Sequence, residues 1–437
     1  MLSKESNELV SRTGPGTPGG AMMRAYWQPA ALSRELKSGL PLRVRLLGED
    51  LVMFRDAAGK PQLISRFCPH RRTDLSFGRV EDGGIRCIYH GWLMDGRGRC
   101  LQRPAERGAG AHSPTPPLME AYPCHEAGGV ILAYLGHGTP PDLPRLHFLS
   151  APEEQTFTMK VLQECNYLQG NEGNLDPAHL SFLHLFMPEG VKSSLNERSG
   201  SLNDILANDA APEIGVSETS YGLRIISSRA SQPGRRWVRI TNFLMPNAAA
   251  IHGSPLTNPR TNPISENCGY QINWHVPIDD VNHWKYVVAH RFDGPVDVEF
   301  LQRGFGSIGP DFVMPRNRAN DFMQDREEMQ SRSFAGLGPS FFVHDKCVIE
   351  AQGGIIDRSQ EHLGSTDLAV VKMRRQLLQA IGEVREGRDP RMVDRAGARN
   401  SLEDLTVLSV DMPADVDLSQ PWWKEYFEGG KPKNVQR

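Results

Sequence analysis

The sequence predicts an α+β protein in two parts, a small all-β domain followed by a larger domain built on an antiparallel sheet flanked by helices. Three observations carry this expectation. From about residue 40 to 148 the chain is a run of short apolar strands punctuated by turns. Pro140-Pro141-Asp142-Leu143-Pro144 then interrupts the pattern. Beyond it, strand-like and helix-like periodicities alternate, and 437 residues is long for one domain. The expected organisation is a helical leading segment over 1–40, the β domain over 41–149 and the larger domain over 150–437.

The elements follow in chain order. The leading segment carries Gly14-Pro15-Gly16-Thr17-Pro18 and then Met22-Met23-Arg24-Ala25-Tyr26-Trp27, read as short and helical. Leu42–Leu46 and Leu51–Arg55 flank Gly48-Glu49-Asp50, a hairpin signature, and Asp56–Lys60 is the next turn. Residues 104–118, rich in Pro, Gly and Ala, read as a long surface loop, and Val130–Leu135 as a buried strand closing the domain. In the larger domain, strands are expected at Leu223–Ser228, Trp237–Phe243, Tyr270–His275 and Trp284–His290. Asp367–Arg385 spaces its apolar residues as a long helix does, and the last eleven residues read as a loose tail.

Composition narrows the class. With 39% hydrophobic and 23% charged residues the chain can bury large cores. A net charge of −3 gives no support for nucleic acid or an anionic membrane as partner. The N-terminus has no apolar signal region, and no stretch approaches the roughly 18 apolar residues of a membrane span. Of seven cysteines only Cys68 and Cys87 sit in ligand spacing, and the rest read as reduced thiols. A cytoplasmic protein is expected.

Cys68-Pro69-His70 and Cys87-Ile88-Tyr89-His90, with sixteen residues between them, supply two thiolates and two imidazoles. That is the donor set of a Rieske [2Fe–2S] centre, in which two His replace two Cys on one iron. Tetrahedral zinc can use the same four residue types. Zinc modules usually pair Cys with Cys and His with His, whereas each loop here carries one of each. The mixed order suits a cluster with one iron on sulfur and the other on nitrogen.

A second stretch runs from Asn166 through Asp176-Pro177-Ala178-His179 to His184. Non-haem iron(II) sites hold the metal with two His and one carboxylate on one face. His179 and His184 are candidates for the pair. Five residues of regular helix separate side chains by about 140°, so the helix must bend or bulge here for both to reach one ion. Two packed core histidines are the alternative, and the cluster argues against it because its electrons need a destination.

These motifs carry a family resemblance. Cys68–Arg72 and Cys87–Trp92 resemble the cluster loops of Rieske-type aromatic-ring oxygenases. Respiratory Rieske proteins have an extra disulfide-forming Cys in each loop, where this chain has Thr73 and Tyr89. Asp176, His179 and His184 resemble the family's catalytic motif, and His344–Gln352 its acidic ligand helix. Gln352–Asp367, with the opening Gly14–Pro18 and Tyr26–Ala30, is similar to the phthalate and chlorobenzoate dioxygenase branch.

The resemblance implies a helix-grip-like catalytic domain and a mononuclear Fe(II) held by His179, His184 and Asp345. Asp325, Glu350 and Asp357 compete for the carboxylate, and Asp345 could instead simply favour a helix N-terminus. It further implies that Asp176 bridges His179 to the partner subunit's His90, although Asp176 could equally cap a helix beginning at Pro177. The implied assembly is a homotrimer or stacked hexamer of α subunits acting on an aromatic carboxylate with O2. Arg224, Arg229 and Arg239 lie on strands expected to line the cavity, and solvated strand charges account for them equally well. Alternation puts Arg239, Thr241 and Trp237 on one face, the favoured wall, where one or two Arg would hold the carboxylate, and Ser181, between the two histidines, is a further candidate to face substrate.

The implied reaction is dihydroxylation or hydroxylation of the ring. The chain has no dinucleotide fingerprint after a strand and no plant-type Cys run, so a separate flavin and iron–sulfur reductase drawing on NAD(P)H is expected. An O-demethylating or ether-cleaving monooxygenase with the same metals is one alternative. A Rieske electron-transfer protein is the other.

Overall fold

The computed structural model describes residues 1–108, 115–186, 199–252, 268–305, 308–395, 402, 405–428 and 431–433. Residues 109–114 of the long loop and 434–437 of the tail lie outside the described residues.

The leading segment is helical only in part. Lys4–Ser11 is capped by Ser3 and Pro18–Arg24 by Thr17, each through a side-chain oxygen. Trp27–Leu32, expected within the helical segment, is instead a strand that pairs antiparallel with Val130–Tyr134, which also pairs with Cys124–Ala127. Its Trp-Gln-Pro-Ala-Ala-Leu sequence is buried from Gln28 to Leu32, and burial there overrides the modest helical pattern. Two four-stranded sheets complete this half, Leu42–Leu46, Glu49–Arg55, Pro61–Ser65 and Ala121–Tyr122, and Arg79–Glu81, Gly84–Arg86, Leu93–Met94 and Cys100–Gln102. The expected hairpin is there, but Glu49 and Asp50 belong to its second strand. Its turn is Leu47-Gly48, both left-handed.

The second half is organised by an eight-stranded antiparallel sheet in the order Thr156–Gln163, His283–Arg291, Gly269–Pro277, Ala248–His252, Arg235–Leu244, Gly222–Gln232 and Glu213–Glu218, with Leu408–Pro413 also pairing Arg235–Leu244. The four strands expected here are its central members. Register fixes the faces: Lys285 lies opposite His275, Asn273 pairs Ala249, Ala249 pairs Phe243, and Arg239 and Arg229 follow by alternation on the same side. Helix Tyr167–Leu175 lies against this face, since Asn273 Nδ2 donates to Asn174 Oδ1 at 2.9 Å. Helices Phe341–Ala351 and Leu368–Arg385 flank it, the latter as its spacing predicts. The tail is not wholly loose, because Phe427–Glu428 pairs with Lys431–Pro432.

Candidate metal centres

The two Cys-His loops are one turn built twice. Each Cys amide donates to the carbonyl five residues on, Cys68 to Thr73 and Cys87 to Trp92, both at 2.9 Å. Each Cys carbonyl accepts from the amide four residues on, Arg72 at 2.8 Å and Gly91 at 3.0 Å. That fourth residue is left-handed in both loops, at φ 59° for Arg72 and 72° for Gly91. Glycine takes that conformation without strain, and a Cβ on Gly91 would meet Pro104 Cγ at 2.7 Å.

The loops face each other, with the His70 and His90 ring centroids 4.4 Å apart. Cys68 and Cys87 are buried free thiols, and burial raises the Cys68 thiol to about 11 with the Cys87 sulfur adding to the effect. His90 Nδ1 is buried without a hydrogen-bond partner. An orphaned imidazole nitrogen beside two unbridged thiols is costly unless something coordinates them, so the donor set fits a [2Fe–2S] cluster. His70 is exposed and stacks on Trp92 at 4.8 Å, while Ile88 and Tyr89 project into solvent beside it.

The second centre begins at helix Tyr167–Leu175. Asn166 caps it, its Oδ1 accepting from the Leu168 amide at 3.2 Å. Gly170 lets it lie close to the sheet, since a Cβ there would meet His275 Nδ1 at 2.1 Å. Pro177 prevents its continuation. A 3-10 turn, His179–Ser181, follows, and Phe182 leaves the helical region at φ −125°, ψ −67°. This is the break that the five-residue spacing requires. It brings the His179 and His184 rings to 5.0 Å, and helix Phe341–Ala351 adds Asp345, so that the three donor atoms lie within 4.8 Å of one another.

Hydrogen bonds orient the His184 ring, and two carboxylates flank the His179 ring. His344 Nε2 lies 2.7 Å from the Gly338 carbonyl and must donate to it, which leaves His344 Nδ1 as acceptor for His184 Nδ1–H at 3.2 Å. His184 therefore presents an unprotonated Nε2, 3.0 Å from Asp345 Oδ1. Its basicity is pushed down to about 4 by burial. His179 turns Nδ1 toward Asp176 Oδ2 at 3.6 Å and Nε2 toward Asp345 Oδ1 at 3.8 Å. Burial opposes its protonation, but the carboxylates of Asp176 and Asp345 outweigh it. Burial likewise opposes ionisation of Asp345, yet His184, Lys285 and His179 hold its carboxyl well below the usual range. Asp176 Oδ1 also accepts from the Ala178 amide at 2.7 Å. No helix begins at Pro177; Asp176 instead closes helix Tyr167–Leu175, with Oδ1 on the Ala178 amide and Oδ2 facing His179. Two imidazoles and a carboxylate on one side, with the His184 Nε2 lone pair aimed inward, fit an open-faced ferrous site.

The competing carboxylates are committed elsewhere. Asp325 caps Arg326–Ser331, Glu350 pairs with buried Lys346, and Asp357 accepts from Ser359. Arg229 and Arg239 share the sheet face that the helix covers, but Arg224 does not. It pairs with Asn242 on the opposite face and lies over the Trp423 ring at 4.5 Å. Residue 224 is out of phase with 229 in a two-residue repeat, which removes it from the cavity wall. Arg229 Nη2 donates to Ser181 Oγ at 3.2 Å and to the Pro177 carbonyl at 2.7 Å, with Nη1 buried and unpartnered. Arg239 Nε is also buried and unpartnered, and burial, aided by Arg229, lowers its pKa to about 10. Sequence reasoning missed the role of His344, which opens the acidic ligand stretch, and missed Lys285, which stands in no motif. A separate cavity of about 540 Å³, lined by Arg34, Met159, Lys160, Gln302 and Phe312 among others, contains none of these donors.

A binuclear donor set and a single-ion donor set in one chain define an oxygenase component with its own store of electrons. Residues 26–123 match the Rieske [2Fe-2S] domain and residues 133–403 the family described as LigXa C-terminal domain like. The chain is 36% identical to the phthalate 4,5-dioxygenase oxygenase subunit of Pseudomonas putida, over 89% of this chain and 88% of that one. It is 32% identical to the 3-chlorobenzoate-3,4-dioxygenase oxygenase subunit of Comamonas testosteroni, over 87% and 88%. At 29% identity, over 94% and 88%, it matches the 5,5'-dehydrodivanillate O-demethylase oxygenase subunit of a Sphingobium strain. The fold is shared with dicamba monooxygenase, at a TM-score of 0.57 and 19% identity over 84% of this chain and 99% of that one.

The chain belongs to the Rieske non-haem iron oxygenase α subunits, in the phthalate and chlorobenzoate dioxygenase branch. Its cofactors are a Rieske [2Fe–2S] cluster and a mononuclear iron. Among the described residues no helix is long and apolar enough to cross a membrane.

Proposed function

We propose that this chain hydroxylates or cis-dihydroxylates an aromatic carboxylate of the phthalate or benzoate type. The observation that carries the substrate class is a pair of guanidiniums on one sheet face, Arg229 fully buried and Arg239 half-buried with a buried Nε. Arg229 and Arg239 face the catalytic helix, and neither has a carboxylate partner among the described residues. A buried cation needs a counter-charge, and a guanidinium matches a carboxylate in a planar, two-point contact. Two of them suit an aromatic dicarboxylate, in keeping with the phthalate-dioxygenase relative.

In this reading Cys68, His70, Cys87 and His90 hold the cluster in the domain 41–149, and His179, His184 and Asp345 hold iron in the domain 150–437. When bound, these groups supply one-electron transfer and dioxygen activation. The chain's own residues orient. Asp176 joins His179 to the partner subunit's His90 in a homotrimer or stacked hexamer, and Ser181 and the Pro177 carbonyl steer Arg229 toward the ring substituent. A separate flavin and iron–sulfur reductase delivers NAD(P)H electrons to this cytoplasmic component. O-demethylation of an aryl ether is the second reading, favoured by the demethylase relative, which spans 94% of the chain.

The test is metal content and product. The protein should carry one iron per chain beyond those of the cluster and, with a reductase, convert phthalate or a substituted benzoate. Loss of a methoxy carbon as formaldehyde selects the second reading, and no product from any aryl carboxylate or ether removes both. Cys68→Ser should lose the cluster's visible absorbance. His179→Ala should keep that absorbance and lose the additional iron. Asp176→Asn should keep both metals and lose turnover, and near-normal turnover would remove the bridge.

A further inference from the structure

Lys285 is a buried ammonium that the reaction scheme above leaves unused. Its side chain is 4% exposed, and it stands on strand His283–Arg291 directly across from His275. Nζ lies 4.6 Å from the centre of the Phe342 ring. Removing an ammonium from water is costly unless a counter-charge is at hand. Among the described residues the acidic group within ion-pair distance is Asp345, with Nζ 3.8 Å from Oδ2.

Its neighbour His275 is committed elsewhere. His283 Nδ1 donates to the Cys165 carbonyl at 2.8 Å, so His283 Nε2 accepts from His275 Nδ1–H at 2.8 Å. His275 Nε2 then accepts from Asn174 Nδ2 at 2.6 Å. Both ring nitrogens are used, and the ammonium is left to Asp345. The carboxylate is thereby divided, with Oδ1 facing His184 at 3.0 Å and His179 at 3.8 Å, and Oδ2 facing Lys285. Three strand steps, about 14 Å along the sheet, separate Lys285 from the strand of Arg239, so it is not part of the guanidinium pair.

We propose that Lys285 is a positioning residue that holds Asp345 as a one-oxygen donor, keeping a coordination position at the iron free. This rests on the reading of His179, His184 and Asp345 as the iron site. A carboxylate can bind a metal through one oxygen or both. With both, the three side chains fill four positions, and with one they fill three. The ammonium faces Oδ2 at ion-pair distance and competes with the metal for it, leaving the added position open.

The experiment compares the full-length, cluster-loaded protein with its Lys285→Met variant, anaerobically and with the cluster oxidised. Near-infrared magnetic circular dichroism reads the coordination number of ferrous iron at the second centre, and equilibrium dialysis reads its dissociation constant. Freed of Lys285, Oδ2 should close onto the metal. The bands should then report one more ligand, and iron should bind about tenfold more tightly, with the visible absorbance of the cluster unchanged. A residue that merely packed the site would loosen iron when replaced. Unchanged bands, or weaker iron binding with the cluster intact, overturn the proposal. If ferrous iron does not bind the parent, the iron-site reading fails and the proposal with it. Should the methionine variant not accumulate, Lys285→Gln keeps a polar head and is read against the same outcomes.

Discussion

His344 shows how much a neighbouring side chain decides at a metal site. The Gly338 carbonyl dictates its tautomer, which dictates that of His184, which leaves a lone pair aimed at Asp345. His344→Phe removes the acceptor for His184 Nδ1–H while filling the space. Ferrous affinity should fall by about 10- to 100-fold with the cluster spectrum unchanged, as iron titration would read. Arg239→Met should raise KM for an aromatic carboxylate by roughly 10- to 100-fold, the worth of a charged hydrogen bond, and leave the neutral methyl ester unaffected. An equal loss with acid and ester would detach Arg239 from the carboxylate. The two Cys-His pairs and the converging His179 and His184 were legible because fixed spacing announces them. His344 and Lys285 were not, because their roles depend on which atoms the fold brings to within a few ångströms.

At the scale of elements, periodicity located the strands that are apolar or aromatic along their length and the long helix Leu368–Arg385. It passed over Ala248–His252, whose three alanines have little strand propensity, and Thr156–Gln163, where buried Lys160 breaks the apolar run while pairing with Glu35. The broken helix at His179 was legible once the cluster argued for a shared ion, since no straight helix aims both rings at one point. Gly170→Ala tests how closely that helix must approach the sheet. The added methyl would collide with His275, costing about 1–3 kcal/mol. The expected result is a lower thermal midpoint and weaker iron uptake with the cluster retained. A parent-like midpoint would mean that the helix can recede without consequence.

For the whole molecule, the junction between the halves should be sensitive to acid. His147, in the turn His147–Leu149 that follows the first half, contacts Tyr270 Oη at 3.1 Å and stacks with His290 of the large sheet. Burial pushes both imidazoles down to about 4. Between pH of about 6.5 and 4 the unfolded chain binds protons there that the folded chain does not, so stability is full above that window and falls as pH drops through it. The loss is roughly 3 kcal/mol or less per imidazole. His147→Phe should flatten the fall of the thermal midpoint across this window, and an undiminished slope would assign it to other groups. Two halves were legible from the Pro-rich break and the change of pattern, but this contact was not, because its partners are 143 positions apart in the chain.

The position of Asp345 in the chain has a consequence for biogenesis. In the proposed assignment the four cluster donors are all synthesised by residue 90, whereas the single-ion site lacks its carboxylate until about 250 residues later. At 5–20 residues per second that interval lasts on the order of 10 to 50 seconds. In that assignment the nascent chain can accept the cluster first and the lone iron only after that interval. Cells short of iron–sulfur assembly and cells short of free ferrous ion should accumulate two different incomplete forms of the same protein.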